Sequence, residues 1–178
     1  MRNIKLINDS WFFSSTANAI PNALPADWEK LDLPHTWNGT DGQDGGGDYM
    51  RKACYYAKEI LKSDLVGEEN YLEFDAVNSS AEIFWNGKSL AVHHGGYSRF
   101  RVLIPSADIK EANLLVVCAD NSPNEEIYPQ VADFTFYGGI YRSVKIVSVP
   151  ATHFDLEYFG APGLQINPEK RRECRGYC

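Results

Sequence analysis

Residues 70–92 read NYLEFDAVNSSAEIFWNGKSLAV, and two kinds of signal sit side by side in them. In the first part Leu72, Phe74 and Ala76 fall on one face while Tyr71, Glu73 and Asp75 fall on the other. That period of two is the pattern of a half-buried strand. The second part, residues 81–92, alternates on both sides of Asn86-Gly87. Tight type I′ turns favour this dipeptide because both central residues take positive φ, so the stretch predicts an antiparallel hairpin. Working outward, alternating or apolar runs recur at CYYAKEIL (54–61), RFRVLIP (99–105), NLLVVCAD (113–120), IYRSVKIVSV (140–149) and HFDLEYF (153–159). NLLVVCAD is continuously apolar, as expected of a strand covered on both faces. About eight strands result, with turn signals at the spacing of a β-sandwich. Only SADIKEA (106–112) suggests a helical turn.

The bulk composition narrows the function. A chain of 178 residues with 44% hydrophobic content is one domain, or one domain with tails, and can bury a real core. The net charge of −7 and the lack of a basic groove before residue 170 argue against nucleic acid. No apolar run reaches the roughly 18 residues that would span a bilayer, so no membrane partner is expected. The N-terminal MRNIKLINDSWFF lacks the apolar core and cleavage site of a signal peptide, so the default expectation is a cytoplasmic location. Cys54 and Cys118 lie in strand-like runs and are expected as buried free thiols. Cys174 and Cys178 lack a nearby Cys/His pair and make a weak metal signal.

Two stretches resist the alternating pattern. Residues 14–50 are loop-rich, with five glycines from Gly39 to Gly47 between the aromatic residues Trp37 and Tyr49. A packed crossing loop is expected there, with His35 and Trp37 as anchors. Residues 120–139 form the second, and irregular segments of this length inside a domain usually carry function or an interface. It ends in ADFTFYGGIYRSVKIVSV (132–149). Gly138 and Gly139 supply backbone freedom there, either for a sharp entry into a strand starting at Ile140 or for a loop that holds Asp133 outward. The last nine residues, KRRECRGYC, are basic and patternless in an acidic chain. The expectation is that the natural reading ends near Pro168 and that the chain is a fragment.

The motifs DLPHTWN (32–38), DY (48–49), YLEFDAVNSSAEIFWNGK (71–88), HHGGYSRF (93–100), NLLVVCADNS (113–122) and YGGIYRSVKI (137–146) occur in an order that resembles the N-terminal domain of glycoside hydrolase family 2. That family includes β-galactosidases and β-glucuronidases, and the resemblance runs from about Trp11 to about Val149. It implies a jelly-roll β-sandwich, the sugar-binding domain, over residues 1–150, a link toward a second domain over 151–169 and an atypical tail over 170–178. In full-length members an immunoglobulin-like domain follows, and then a TIM barrel with two catalytic glutamates. For retention those carboxyl groups stand about 5–5.5 Å apart, one protonating the leaving oxygen and the other attacking the anomeric carbon. The chain stops before either later domain, so the expectation is no catalytic residue here and no turnover by the chain alone.

The resemblance also implies a site. A loop just upstream of the glycine pair projects an aspartate into the barrel mouth, and Asp133, six residues before Gly139, matches that spacing. A carboxylate accepts sugar hydroxyls in charge-assisted hydrogen bonds. In some members this aspartate also helps hold a monovalent cation; no other cofactor is implied. Asp48 and Arg51, after the glycine-rich loop, are the other candidates for substrate binding, where β-galactosidases can carry an asparagine instead of Arg51. The plain structural alternatives are a solvated or turn-capping acid at Asp133 and an exposed strand-edge arginine at Arg51. Arg142 is expected in an ion pair or capping carbonyls. Trp85 and Tyr97 could stack on a sugar, with core packing the simpler reading, and His93 with His94 lacks a third metal ligand. The substrate implied for the full-length enzyme is a β-linked galactoside or glucuronide. A free-standing carbohydrate-binding module and a structural or self-associating interface domain are the competing readings, and an apolar patch is expected near residues 37–50 and 127–139.

Overall fold

The computed structural model describes residues 1–41, 49–129 and 131–168. Among them ten strands form: β1 (Asn3–Leu6), β2 (Trp11–Ser14), β3 (Glu29–Leu31), β4 (Ala53–Leu61), β5 (Glu69–Phe74), β6 (Ser80–Trp85), β7 (Lys88–His94), β8 (Phe100–Ile104), β9 (Ala112–Asp120) and β10 (Val144–Val149). They build two antiparallel sheets, one ordered β1-β10-β5-β8 and the other β3-β2-β4-β9-β6-β7. The result is the β-sandwich that the alternation predicts. Its inner faces carry Trp11, Tyr56, Trp85, Phe74, Leu72 and Ile83, all fully buried. Each buried aliphatic or Phe side chain stabilises the fold by about 2 kcal/mol relative to exposure.

The hairpin forms as read. Asn86 and Gly87 have φ of 51° and 85°. The Asn86 amide also donates to Asp108 O (2.8 Å) and to Asn113 Oδ1 (3.0 Å), tying the turn to the loop before β9. Nothing lies within 4 Å of a methyl placed on Gly87, so only the left-handed backbone resists a side chain there. Gly87→Ala is therefore expected to lower stability by about 1 kcal/mol in urea unfolding, with the unfolding slope unchanged. A loss above about 3 kcal/mol would contradict this account of the turn.

β9 lies at the centre of its sheet, and its outward Val116 is buried between Ala57 of β4 and Phe84 of β6 in the register. The Trp85 indole is core, with Nε1 donating to Asp108 O at 3.3 Å, so it is not available to a sugar. Cys54 is a buried free thiol whose pKa is pushed up to about 12 by burial. Cys118 is a free, half-buried thiol raised by the same cause; Cys174 and Cys178 lie outside the described residues.

Three expectations change. β1 and β2 form in an N-terminal stretch where no strand was expected, and β3 lies inside the loop-rich residues 14–50. Residues 140–143 are not strand: β10 begins at Val144, whose N–H donates to Asn8 Oδ1 (2.9 Å), while Ser143 O accepts from Asp75 N (3.0 Å). HFDLEYF is not a strand either. It lies as an irregular strap over the outer face of the smaller sheet, where Leu156 packs with Tyr71, Val147 and Val149. Arg101 Nη1 donates to Leu156 O (3.0 Å) and Ala161 O (2.8 Å), so these carbonyls bond a side chain and not a neighbouring strand. Under the strap Arg101 pairs with Glu73 across β8 and β5 at 2.6 Å, with side chains only 2% and 4% exposed.

Candidate functional site

One end of the sandwich collects the long irregular segments. The ends of β5, β7 and β9 and the starts of β4, β6, β8 and β10 meet there, and residues 32–41, 49–52, 75–79, 95–99, 121–129 and 131–143 lie at it. Two fully buried asparagines hold this end together. Asn38 Oδ1 accepts from Gly138 N (2.8 Å) and from Asn121 Nδ2 (3.0 Å). Asn121 Nδ2 also donates to Phe136 O (2.9 Å), and Asn121 Oδ1 accepts from Lys52 N (2.9 Å). Asn38 Nδ2 donates to Met50 O (2.9 Å). Four segments far apart in sequence are thus bonded through two amides, which offer both donor and acceptor where no water reaches.

The anchors behave as their residue types predict. His35 Nδ1 sits 2.8 Å from the Tyr56 hydroxyl, and burial lowers its pKa, so the ring is neutral and structural. Trp37 stacks at 16° on Phe13 and its Nε1 donates to Met50 O at 3.2 Å. The glycine pair has a steric reason. A methyl on Gly138 would lie 2.1 Å from the Trp37 ring and 2.8 Å from Asn121 Cγ. Gly139 has φ of 122° and exchanges backbone hydrogen bonds with Asn78 at 3.1 and 3.2 Å. Asn78 Nδ2 then donates to Tyr137 O at 2.7 Å. Gly138-Gly139 therefore serves close packing of the loop base, upstream of which the chain turns out to solvent.

Asp133 lies on that outward part and is exposed, beside the half-exposed Phe134. Arg51 is half-buried and not the free edge residue of the structural alternative: Nε donates to Asn121 O (2.9 Å), and the guanidinium lies 4.9 Å from the Phe136 ring and 5.8 Å from the Tyr49 ring. It lines a shallow recess with Ser79, Tyr97, Ser122 and Tyr128. Asp48 lies outside the described residues. Arg142 is exposed with its guanidinium 5.4 Å from the Tyr141 ring, and among the described residues it makes neither the ion pair nor the carbonyl bond expected of it. His93 stacks on Phe100 at 4.0 Å and, lowered by burial, is a packing residue. Among the described residues no group of three or more His, Cys, Asp or Glu side chains is assembled for a metal.

Beside the recess a cleft of about 410 Å³ is lined by Thr36, Asn78, Tyr97, Phe134, Tyr137 and Tyr141. Burial raises the phenols of Tyr97 and Tyr141, so both are neutral donors at ordinary pH; the Tyr141 hydroxyl donates to Gly96 O. Asn78 and Tyr141 escaped the sequence reading, and the aromatic clustering of FTFYGGIY (134–141) hinted at Tyr141 alone. Around the cleft Tyr97, Tyr128, Val131, Phe134 and Tyr137 are 49%, 82%, 89%, 49% and 37% exposed, an apolar patch on the 127–139 side where one was expected. Among the described residues no helix is long and apolar enough to cross a membrane.

The comparisons with known proteins agree with this architecture. A family model for glycosyl hydrolases family 2, sugar binding domain, matches residues 2–150. The chain is 34% identical to the β-glucuronidase of Bacteroides fragilis over 176 residues, 95% of this chain and 25% of that protein. It is 35% identical to a β-galactosidase of Bacteroides ovatus over 147 residues, 76% of this chain and 16% of that protein. Among solved structures, Bacteroides uniformis β-glucuronidase 2, covalently bound to cyclophellitol-6-carboxylate aziridine, superposes with a TM-score of 0.77 at 35% identity, over 91% of this chain and 20% of that one. The chain thus spans a quarter or less of the length of these relatives.

Proposed function

Because the chain belongs to glycoside hydrolase family 2, as its sugar-binding domain, we propose that it works as the N-terminal part of a longer retaining β-glycosidase. In this reading it braces a catalytic barrel with the loop end of the sandwich and lends Asp133 to the substrate. The observation that carries the proposal is the placement of Asp133: an exposed carboxylate standing beyond a rigidly bonded loop base, next to an exposed apolar patch that a neighbouring domain would cover. Asp133 accepts hydroxyls of the bound sugar, Arg51 holds the loop base and flanks the substrate, and Asp48 is a further substrate-binding candidate on the resemblance alone. The two carboxyl groups that cleave the bond lie outside this chain. β-Glucuronides are the favoured substrate, since the Bacteroides fragilis and Bacteroides uniformis proteins, matched over more than nine-tenths of this chain, are β-glucuronidases, and β-galactosides come second. A free-standing module is favoured by one feature alone, the aromatic cleft around Tyr97 and Tyr137.

Two measurements test the proposal. Isothermal titration of this chain with glucuronic acid and with galactose is expected to show no site tighter than about 1 mM, about −4 kcal/mol; tighter binding would establish the module. Grafted in place of the matching region of the Bacteroides fragilis enzyme, the chain is expected to support hydrolysis of an aryl β-glucuronide. In that graft Asp133→Asn lowers kcat/KM by about 10- to 100-fold, the worth of one charge-assisted hydrogen bond. An active graft in which Asp133→Asn changes kcat/KM less than twofold rules out the role given to Asp133.

A further inference from the structure

The strap that follows β10 carries a histidine whose two ring nitrogens both face acceptors. His153 Nδ1 lies 2.6 Å from Phe154 O, and Nε2 lies 2.8 Å from Glu69 Oε2 on β5. A backbone carbonyl and a carboxylate accept only, and neutral imidazole owns a single N–H. Both contacts can therefore be hydrogen bonds only when the ring is the imidazolium. The surroundings favour that form. The Tyr71 hydroxyl donates to the same Glu69 oxygen at 2.9 Å, which keeps the carboxylate ionised and in place. The Tyr71 ring meets the imidazole edge-on at 5.9 Å. Asp155 of the strap also faces it, Glu157 acts on the neighbouring Tyr71, and Arg2 and the N-terminal Met1 line the same groove.

We propose that His153 is a protonation-dependent latch: as the imidazolium it ties the start of the strap to β5, and on losing its proton it releases residues 151–155. Leu156 and the Arg101 bonds to Leu156 O and Ala161 O keep the rest of the strap seated. The latch governs how the chain leaves the sandwich after β10, which is where any following domain is joined.

The sign follows from both partners. The hydrogen bond to Glu69 raises the pKa of His153, so its contribution is complete below the ordinary histidine value and is lost as pH rises through the raised one. His153, with Tyr71, lowers the pKa of Glu69, so that contribution is present above the ordinary carboxylate value and is lost only as pH falls through the lowered one. The latch is closed in the window between them. Ring nitrogen NMR of this chain is expected to show both His153 nitrogens protonated at pH 5.5 and a titration above the ordinary histidine value of 6.5. Amide hydrogen exchange, corrected for base catalysis, is expected to lose protection over 151–155 several-fold between pH 5.5 and 8.5, with residues 156–161 unchanged. His153→Gln and Glu69→Gln, which both lie outside the hydrophobic core clusters, are expected to abolish that pH dependence. A His153 that titrates at or below 6.5, unchanged protection over 151–155, or a His153→Gln variant with the wild-type pH dependence would each overturn the proposal.

Discussion

Asn121→Ala is expected to cost about 4 kcal/mol in urea or guanidinium unfolding and to lower Tm by about 10 °C. The side chain is fully buried and uses both ends of its amide. Truncation leaves Lys52 N–H and Phe136 O without the partners that Asn121 gave them, and each such orphan costs about 1–3 kcal/mol. It also removes one of the two donors to Asn38 Oδ1 and opens a cavity against Gly138, whose environment is already tight. For a domain with a total stability of about 5–15 kcal/mol, that is a large fraction. Asn121→Asp separates the two ends of the amide. It keeps the acceptor for Lys52 but turns a carboxylate toward Phe136 O and Asn38 Oδ1, so it is expected to be no milder. A loss below about 1 kcal/mol in either variant would show that the loop end is not organised by this amide. The loop base and Asp133 share one support, so a graft carrying either variant is also expected to lose activity.

Arg101→Met is expected to cost about 3–5 kcal/mol, because it leaves Glu73 buried without its main partner. Lys145 and Arg99 stand further from Glu73, at 3.4 and 3.7 Å, and both are already committed to Asp75 at 2.6 and 2.8 Å. The same change strips the strap of its donors to Leu156 O and Ala161 O. Removing both charges in Arg101→Met/Glu73→Leu is expected to recover part of the loss, since the uncompensated carboxylate disappears with its partner. The coupling energy of that double-mutant cycle measures the pair, and a coupling near zero would mean that the strap, not the ion pair, is what Arg101 stabilises. Proteolytic sensitivity of residues 151–163 should rise in both variants, because the strap bonds are absent from each.

The sandwich was legible where the sequence carries long, strongly patterned runs. Residues 70–92 and 54–61 gave their strands, and Asn86-Gly87 gave its turn. β1, β2 and β3 were missed because three or four residues define no period, and their pairing partners are remote: Phe12 stands opposite Ala57, and Ile4 opposite Val147. The strap misled in the other direction. Phe154, Leu156 and Tyr158 alternate as a strand does, yet a strand needs a hydrogen-bonding neighbour, and here a guanidinium takes the carbonyls. At the loop end the candidacy of Asp133 came from the resemblance and its distance to the glycine pair, not from a local pattern. Asn38, Asn78 and Asn121 were not, because an asparagine in a loop gives no sign of what it will bond.

The sequence by itself determined the inward faces of the long strands, the hairpin, and the family through the order of its motifs. Those features are local, or are matters of composition and order, and need no knowledge of what lies opposite. Only the tertiary structure decided that the Glu73 face of β5 is covered and ion-paired, that Gly138 is a glycine because an indole presses on it, and that two amides bind four distant segments into the base on which Asp133 stands. Each of these depends on groups brought together across tens of residues, and burial, which sets the strength of a charge or an amide, exists only once the chain has closed on itself.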